Sequence, residues 1–557
     1  MSEPREQTWK RVGEERYDLL IIGCGITGAG ALRDAARRGL KVAVVEARDI
    51  AYGTSSRSSK LVHGGLRYLE QGELSLVFEA VSERKVLQNI APHLVNPLGF
   101  LYPIYPQSPV RLETLRAGLW LYDGLSLFRS PKLHKTLSKK QLATVEPGLN
   151  QQGLKGAPLY YDCATDDARL TLETVIDAHA QGAAVLTWAR VSGLLHDAQG
   201  RIDGVQVVDA LSGSKLPPVE IRANAVINAS GPWTDKVRGL GQGGRPLLKP
   251  TKGVHIVVHA SRLPLRHAVV CNHPKDRRLL FCIPWGEQSY IGTTDTYYDG
   301  PPEEVCADLA DVDYLLHVTN HYFPDAKLVH EDVICTWAGL RPLIAQGDAS
   351  ESSVSREHEI IVDADGLITI AGGKLTTFRR MGAEVVSKAM DLLALMGRVP
   401  QGVHDAHTGR EPLPGAVGWP ENDDAEAVAR QITDASGGRV SAYVALYLAH
   451  RYGTRGLDIA RYATTDQRLL GLLVPGRPEI LAIVDWAVHR ELAQTVSDVM
   501  VRRTQLYFRD TNQGLDATEA VADRMAELLG WDEDRRNEEV LRYQDEVALS
   551  RRWRDEL

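Results

Sequence analysis

Apolar positions along this chain change rhythm three times, and each rhythm marks a different kind of element. From Tyr17 a continuous apolar run, DLLII at 18–22, leads through a glycine turn, GCGITG at 23–28, into helically spaced AGALRDAARRG at 29–39 and a second apolar run, KVAVVE at 41–46. Strands apolar on both faces suit a sheet covered on both sides, so the order strand, helix, strand reads as a parallel βαβ unit. Runs of this kind return far downstream as AAVLTWARVSGLL, IDGVQVVDA, AVINASG and GLITIAGG. A first domain discontinuous in sequence is therefore expected, built from 15–75, 165–240 and 350–395. The intervening pieces, 76–164 and 241–349, contain strand-like runs such as HIVVHA, RLLFCIPW and SYIGTTD. They predict an inserted antiparallel sheet that covers a substrate cleft.

The segment 396–420 is rich in proline and glycine, has no period, and reads as a linker. Beyond it, 421–557 shows apolar residues at i, i+3 and i+4 in SAYVALYLAHRYG, in the long run PEILAIVDWAVHRELAQTVSDVMVRRTQLYF and in ATEAVADRMAELLGW, which predicts a C-terminal helical domain.

Composition narrows the function classes. The chain has 557 residues, 44% hydrophobic and 24% charged, ordinary values for a globular protein with more than one core. A net charge of -8 disfavours nucleic acid as the main ligand, and an anionic ligand must find a local basic pocket. The six cysteines form neither a C-x-x-C pair nor a Cys/His cluster at zinc spacing, so reduced thiols, a cytosolic setting and no metal site are expected. The opening stretch MSEPREQTWKRVGEERYD is charged throughout, which speaks against a secretory leader. The longest apolar runs fall short of the roughly 20 residues that span a bilayer, so any membrane contact is peripheral.

Gly23, Gly25 and Gly28 make a G-x-G-x-x-G turn. In that arrangement the first glycine permits the tight turn, the second admits a pyrophosphate to the backbone and the third lets helix and strand pack closely. Glu46, 18 positions beyond Gly28, is placed to accept hydrogen bonds from an adenosine ribose. A nicotinamide enzyme would continue the doubly wound fold at this point, whereas this chain breaks into YGTSSRSSKLVHGGLRYLEQ and resumes sheet much later. It ends that sheet in ITIAGGKLTTFRRMGAE, where a helix start at Thr376 and Thr377 offers N–H groups to an electron-rich edge. FAD is the cofactor that suits this layout.

Taken in order, GTSSRSSKLVHGGLRYLEQGELSLVFEAVSERKVL, NASGPW, TKGVHIVV, IPWGEQSYIGTTDT, WAGLRPL and GGKLTTFR resemble the FAD-dependent glycerol-3-phosphate dehydrogenases over nearly the whole chain. The resemblance implies an α/β fold: an FAD-binding Rossmann-like domain of the glutathione-reductase and D-amino-acid-oxidase kind, an inserted antiparallel-sheet substrate domain and a helical C-terminal domain. It implies oxidation of glycerol 3-phosphate to dihydroxyacetone phosphate, electrons passing from FAD to a membrane quinone, with the protein cytoplasmic and peripheral on the membrane. An oxidase that hands the electrons to oxygen and releases hydrogen peroxide is the alternative, and a homodimer stays open.

Matched residue by residue, the family motifs place Thr54, Ser55, Ser56, Ser58, Lys60, His63, Gly64, Val191, Gly231, Gly373, Leu375 and Thr376 along FAD. Ser230 replaces a common threonine, and Phe378 replaces a common tyrosine, removing a hydroxyl. For a phosphate dianion the candidates are Arg67, Arg341 and Lys374, with Tyr68 as a phenolic donor. Loss of hydride from a secondary alcohol needs a base, and His63 and His255 titrate in the useful range. His63 either moves a proton or holds the cofactor. Arg341 either polarises the substrate oxygen or binds phosphate. The basic run HKTLSKKQL and the apolar stretch LRAGLWLYDGLSLF, 115–128, are candidates for contact with a bilayer surface.

Overall fold

The computed structural model describes residues 3–65, 73–125, 132–345 and 357–557. Among these residues the chain builds a sheet of eight strands and a sheet of ten. The first runs, in spatial order, His358–Val362, Ile368–Gly372, Val219–Asn228, Arg16–Ile22, Val42–Val45 and Ala184–Leu186. Ile202–Asp209 pairs beside Val219–Asn228 and carries Ala189–His196 with it. Its centre is parallel: Leu20 lies opposite Ala43 on one side and Val226 on the other. The helix Ile26–Arg37 buries Ala29, Leu32 and Ala35 against this sheet, and Phe378–Leu395 packs beside it through Val385, Ala389 and Leu393. All four returning apolar runs are strands here, brought to one sheet from distant parts of the sequence.

The second sheet centres on Thr251–His259, paired antiparallel with Gln288–Gly292 and Val333–Arg341. One contact breaks the antiparallel expectation, since Ala268 and Val269 run parallel to Phe100 and Leu101. The strand Leu61–Val62, read from sequence as part of the nucleotide-binding piece, pairs with Ala164 and Cys163 of the second sheet. Its apolar pair is buried there, Val62 beside Leu87, Ile90 and Cys163. The polar stretch around it is thus a crossover between sheets.

The C-terminal segment is helical, although the run after Pro478 is broken. Ala482–Glu491 stops at Leu492, φ 59°, and a π-helical stretch, Asp498–Arg503, leads through Gln505, φ 64°, to Leu506–Arg509. Segment 396–420 docks on the first domain rather than swinging free. Arg33 donates to the carbonyls of Thr408 and Glu411 at 2.8 and 2.7 Å, and Gly415 N donates to Glu173 Oε2 at 3.0 Å. An aperiodic segment keeps a fixed course when its backbone finds such buried partners. No helix among the described residues is long and apolar enough to cross a membrane.

Candidate functional site

The carboxyl ends of the first sheet's parallel strands open into a cavity of about 480 Å³, the position where open parallel sheets receive ligands. Ile22, Val45, Ala229 and Ile370 line it from the strand ends, and Gly23 and Gly25 form its floor at the start of the helix Ile26–Arg37. Gly28 faces away from it. A Cβ there would come within 2.0 Å of Gly23 O, so this glycine lets the helix sit on the turn.

Glu46 is fixed by its own backbone surroundings. Its carboxylate accepts from Cys24 N at 2.7 Å and from Arg48 N at 2.9 Å, and burial raises its pKa. Thr54, Ser55, Ser58, Val191, Gly231, Gly373, Lys374 and Leu375 also line the cavity. Ser55 Oγ accepts from Ile26 N at 2.8 Å, tying the serine-rich loop to the helix start.

Several expected contacts fall elsewhere. The Ser58 hydroxyl is spent on Asp167 Oδ2 at 2.7 Å, and Ser56 is buried. Lys60, expected along FAD, is a structural cation instead. It is 2% exposed, donates to Asp167 Oδ1 at 2.7 Å and Ser56 O at 3.1 Å, and lies over the Phe508 ring, because a buried ammonium requires a carboxylate. Arg67 and Tyr68 lie outside the described residues.

His63 sits where the serine-rich loop meets the short turn Leu375–Thr377 that follows the last strand of the first domain. Its N–H donates to Thr376 Oγ1, and that hydroxyl donates back to His63 O, both at 3.2 Å. Gly64 N donates to Tyr122 Oη and to Asp162 Oδ1, each at 3.1 Å. A Cβ on Gly64 would lie 2.1 Å from Tyr122 Oη, so close packing, and not only a ligand, requires glycine there.

Arg341 and His255 share one face of the second sheet. Register sets His255 opposite Trp337 and Thr251 opposite Arg341, with Gly253 opposite Gly339 between these rows. Two glycines face to face leave a gap in the row, and the Arg341 guanidinium lies over it: a Cβ on Gly253 would be 2.5 Å from its Nη2. Arg341 is further held by Asp295 Oδ1 at 2.9 Å and Thr293 Oγ1 at 3.0 Å. Lys374 lines the cavity, whereas Arg341 does not, although the adjacent Pro342 does. His255 stacks on Trp337 with centroids 4.6 Å apart, and its Nε2 meets Ser59 Oγ at 2.9 Å. Its Nδ1 has no hydrogen-bond partner among the described residues. Burial first, and then the charges of Arg341 and Lys60, hold its pKa well below 6.5, so the ring is neutral.

Sequence reasoning missed Arg48, Tyr52, Trp233 and Glu303 on the cavity wall. Trp233 Nε1 donates to Glu303 Oε1 at 2.7 Å, a contact between the two domains. Trp233 lies within NASGPW and was readable; Glu303 comes from the short 3-10 turn Pro302–Glu304, which carries no motif.

The FAD dependent oxidoreductase family model matches residues 18–379, and that of the C-terminal domain of alpha-glycerophosphate oxidase matches 406–536. The chain is 38% identical to the aerobic glycerol-3-phosphate dehydrogenase of Staphylococcus haemolyticus, over 96% of this chain and 95% of that protein. The chain belongs to the FAD-dependent glycerol-3-phosphate dehydrogenase family. To the relative of that name in Staphylococcus aureus strain USA300 it is 37% identical, over 95% of this chain and 93% of the other. The glycerol-3-phosphate dehydrogenase from Bacillus halodurans complexed with FAD superposes with a TM-score of 0.81 at 33% identity, covering 98% of this chain and 97% of that one. The L-alpha-glycerophosphate oxidase of Mycoplasma pneumoniae, 18% identical with a TM-score of 0.52 over 68% of this chain and 95% of that one, shares the fold. FAD is the cofactor of this family, and the cavity fits it: a glycine floor at a helix N-terminus suits a pyrophosphate, and the partly buried carboxylate of Glu46 lies on the wall beyond the next strand.

Proposed function

We propose that this chain oxidises glycerol 3-phosphate to dihydroxyacetone phosphate, with the electrons leaving for a membrane quinone. The observation that carries this reading is the placing of Arg341 and a buried, neutral His255 on one face of the second sheet, with Ser59 joining His255 to the serine-rich loop and Lys374 on the wall of the FAD cavity. FAD, when bound, supplies the acceptor for the hydride that leaves C2 of the alcohol. Arg341 and Lys374 supply charge-assisted donors for the phosphate or for the C2 oxygen as it becomes a ketone. His255 is the first candidate for the base that takes the hydroxyl proton, with Ser59 and the Trp337 ring keeping its imidazole in place. His63 is the second candidate, with its backbone fixed to Thr376 so that its ring has a defined origin.

A peripheral position on the cytoplasmic membrane is part of the same proposal. Leu74, Phe78, Trp120, Leu121 and Leu133 are exposed large apolar residues on and beside the helices Leu74–Ile90 and Leu112–Leu125, and Lys132, Lys135, Lys139 and Lys140 flank them in exposed positions. Apolar side chains ringed by lysines suit an anionic bilayer. The Tyr122 hydroxyl on the inner side of this region accepts from Gly64 N, next to His63.

The test is anaerobic addition of glycerol 3-phosphate to the yellow protein, followed by steady-state assay with a quinone analogue and with oxygen, with and without lipid. Bleaching and a preference for the quinone are expected. A flavin that stays oxidised removes the substrate assignment, and rapid peroxide formation in place of quinone reduction moves the chain to the oxidase reading.

A further inference from the structure

The Glu46–Ser58 wall of the FAD cavity has a back as well as a front. Glu46, Ala47, Arg48, Tyr52, Gly53, Thr54, Ser55 and Ser58 face the cavity. Asp49 turns the other way and is fully buried against the C-terminal helical domain. Its Oδ1 accepts from Arg503 Nη2 at 2.9 Å, while its Oδ2 accepts from both Arg502 and Arg503. Burial works to raise the pKa of Asp49, but Arg503 and Arg502 outweigh it and keep the carboxyl ionised.

The two arginines are aimed by an irregular backbone. They occupy the end of the π-helical stretch Asp498–Arg503, and such local irregularities cluster at sites where side chains must be redirected. Arg502 also donates to Asp498 Oδ1 at 2.7 Å, and Arg503 to Glu491 O at 2.6 Å. Asp498 in turn accepts from Trp188 Nε1 at 3.1 Å, and Trp188 N donates to Arg48 O at 2.9 Å. The Arg502 guanidinium stands 5.7 Å from the centroid of Tyr52, a ring on the cavity wall. This stretch of the C-terminal domain thus reaches Asp49 directly, Arg48 through Trp188, and Tyr52 through the Arg502 guanidinium.

We propose that Asp49, Arg502 and Arg503 are positioning residues for FAD: the C-terminal domain clamps the cavity wall from behind, and FAD binding and domain docking support each other. This rests on the cavity being the FAD site, which the colour of a Gly25→Val protein tests independently. Linkage makes the coupling reciprocal. Weakening the clamp lowers FAD affinity, and removing FAD loosens the clamp.

The experiment compares Asp49→Asn and Arg503→Met with Arg524→Met, which breaks an ion pair to the buried Asp485 inside the C-terminal domain and touches no cavity residue. FAD dissociation constants are measured by flavin fluorescence on each apoprotein, alongside its thermal unfolding. A tenfold or greater loss of FAD affinity is expected for Asp49→Asn and Arg503→Met, and less than twofold for Arg524→Met at a similar loss of Tm. Equal loss in all three would show that only general stability is at stake and would overturn the proposal, as would wild-type affinity in a folded Asp49→Asn protein. Should those variants fail to fold, hydrogen exchange of the wild-type protein decides. Residues 494–504 should exchange at least tenfold faster without FAD, and equal protection with and without it removes the coupling.

Discussion

The FAD cavity and the second-sheet face that carries Arg341 are built by different means. The cavity is lined at strand ends and helix starts, and its key pieces are short runs of consecutive residues. The second-sheet face is made of side chains from three strands, set opposite one another only by register, with Gly253 and Gly339 leaving the gap between them. A site of the first kind tolerates side-chain change and fails when backbone approach is blocked. A site of the second kind fails one side chain at a time.

The largest effect should come from blocking the backbone. Gly25→Val places branched carbons where a Cβ already lies 3.2 Å from Ser55 Oγ, on the floor meant for the pyrophosphate. The expected outcome is colourless protein with no turnover, read from its visible spectrum. A yellow Gly25→Val protein with full flavin content would contradict the backbone account of this region.

Much of that region was legible because its signals are contiguous: the glycine turn, the acidic residue at the end of the next strand, and the serine run of Thr54 to Ser58. The crossover at Leu61–Val62 was not, since two apolar residues inside a polar stretch carry no period, and only pairing with Cys163 and Ala164 shows which sheet they join. Lys60 was misplaced for a related reason. Its sequence neighbours face the cavity, but its partner Asp167 is more than a hundred positions away. The docked course of 396–420 and the π-helical stretch at Asp498–Arg503 depend on buried ion pairs and backbone bonds to the first domain, which no local pattern encodes.

Lys60 joins the two regions, so its loss should erase the distinction between them. It holds Asp167 in the first domain and lies under Trp337, the ring on which His255 stacks. Lys60→Met leaves a buried carboxylate unpaired and should cost about 3 to 5 kcal/mol by denaturant unfolding. Flavin content and activity should fall together. Full stability would show that Asp167 is content with its Ser58 and Ala168 bonds alone.

Arg341→Ala separates the regions again. The variant should keep FAD, because Arg341 adjoins the cavity without forming its floor, yet lose roughly 10²- to 10³-fold in kcat/KM, the cost of removing one charge-stabilising donor. Near-normal turnover in a yellow protein would take the substrate away from this face.

The smallest effect separates the second-sheet face from a buried histidine outside both regions by how each answers to acid. His93 is fully buried near Glu173, Arg169, Arg455 and His450, with the Trp419 ring 5.7 Å away, and burial lowers its pKa to about 4. The unfolded chain takes up this proton near pH 6.5, so above that pH the residue costs nothing. As pH falls from 6.5 toward 4, the unfolded state gains protons that the folded state refuses, and stability declines by roughly 3 kcal/mol in total. His255 is depressed for the same first reason, burial, and adds to the decline in the same direction. His93→Leu should flatten the loss of stability across this window without moving the pH profile of kcat/KM. His255→Asn should change that profile, since its ring is at the reacting end. If His93→Leu shifts the profile as much as His255→Asn does, the change reports general stability and His255 is not the group that sets it.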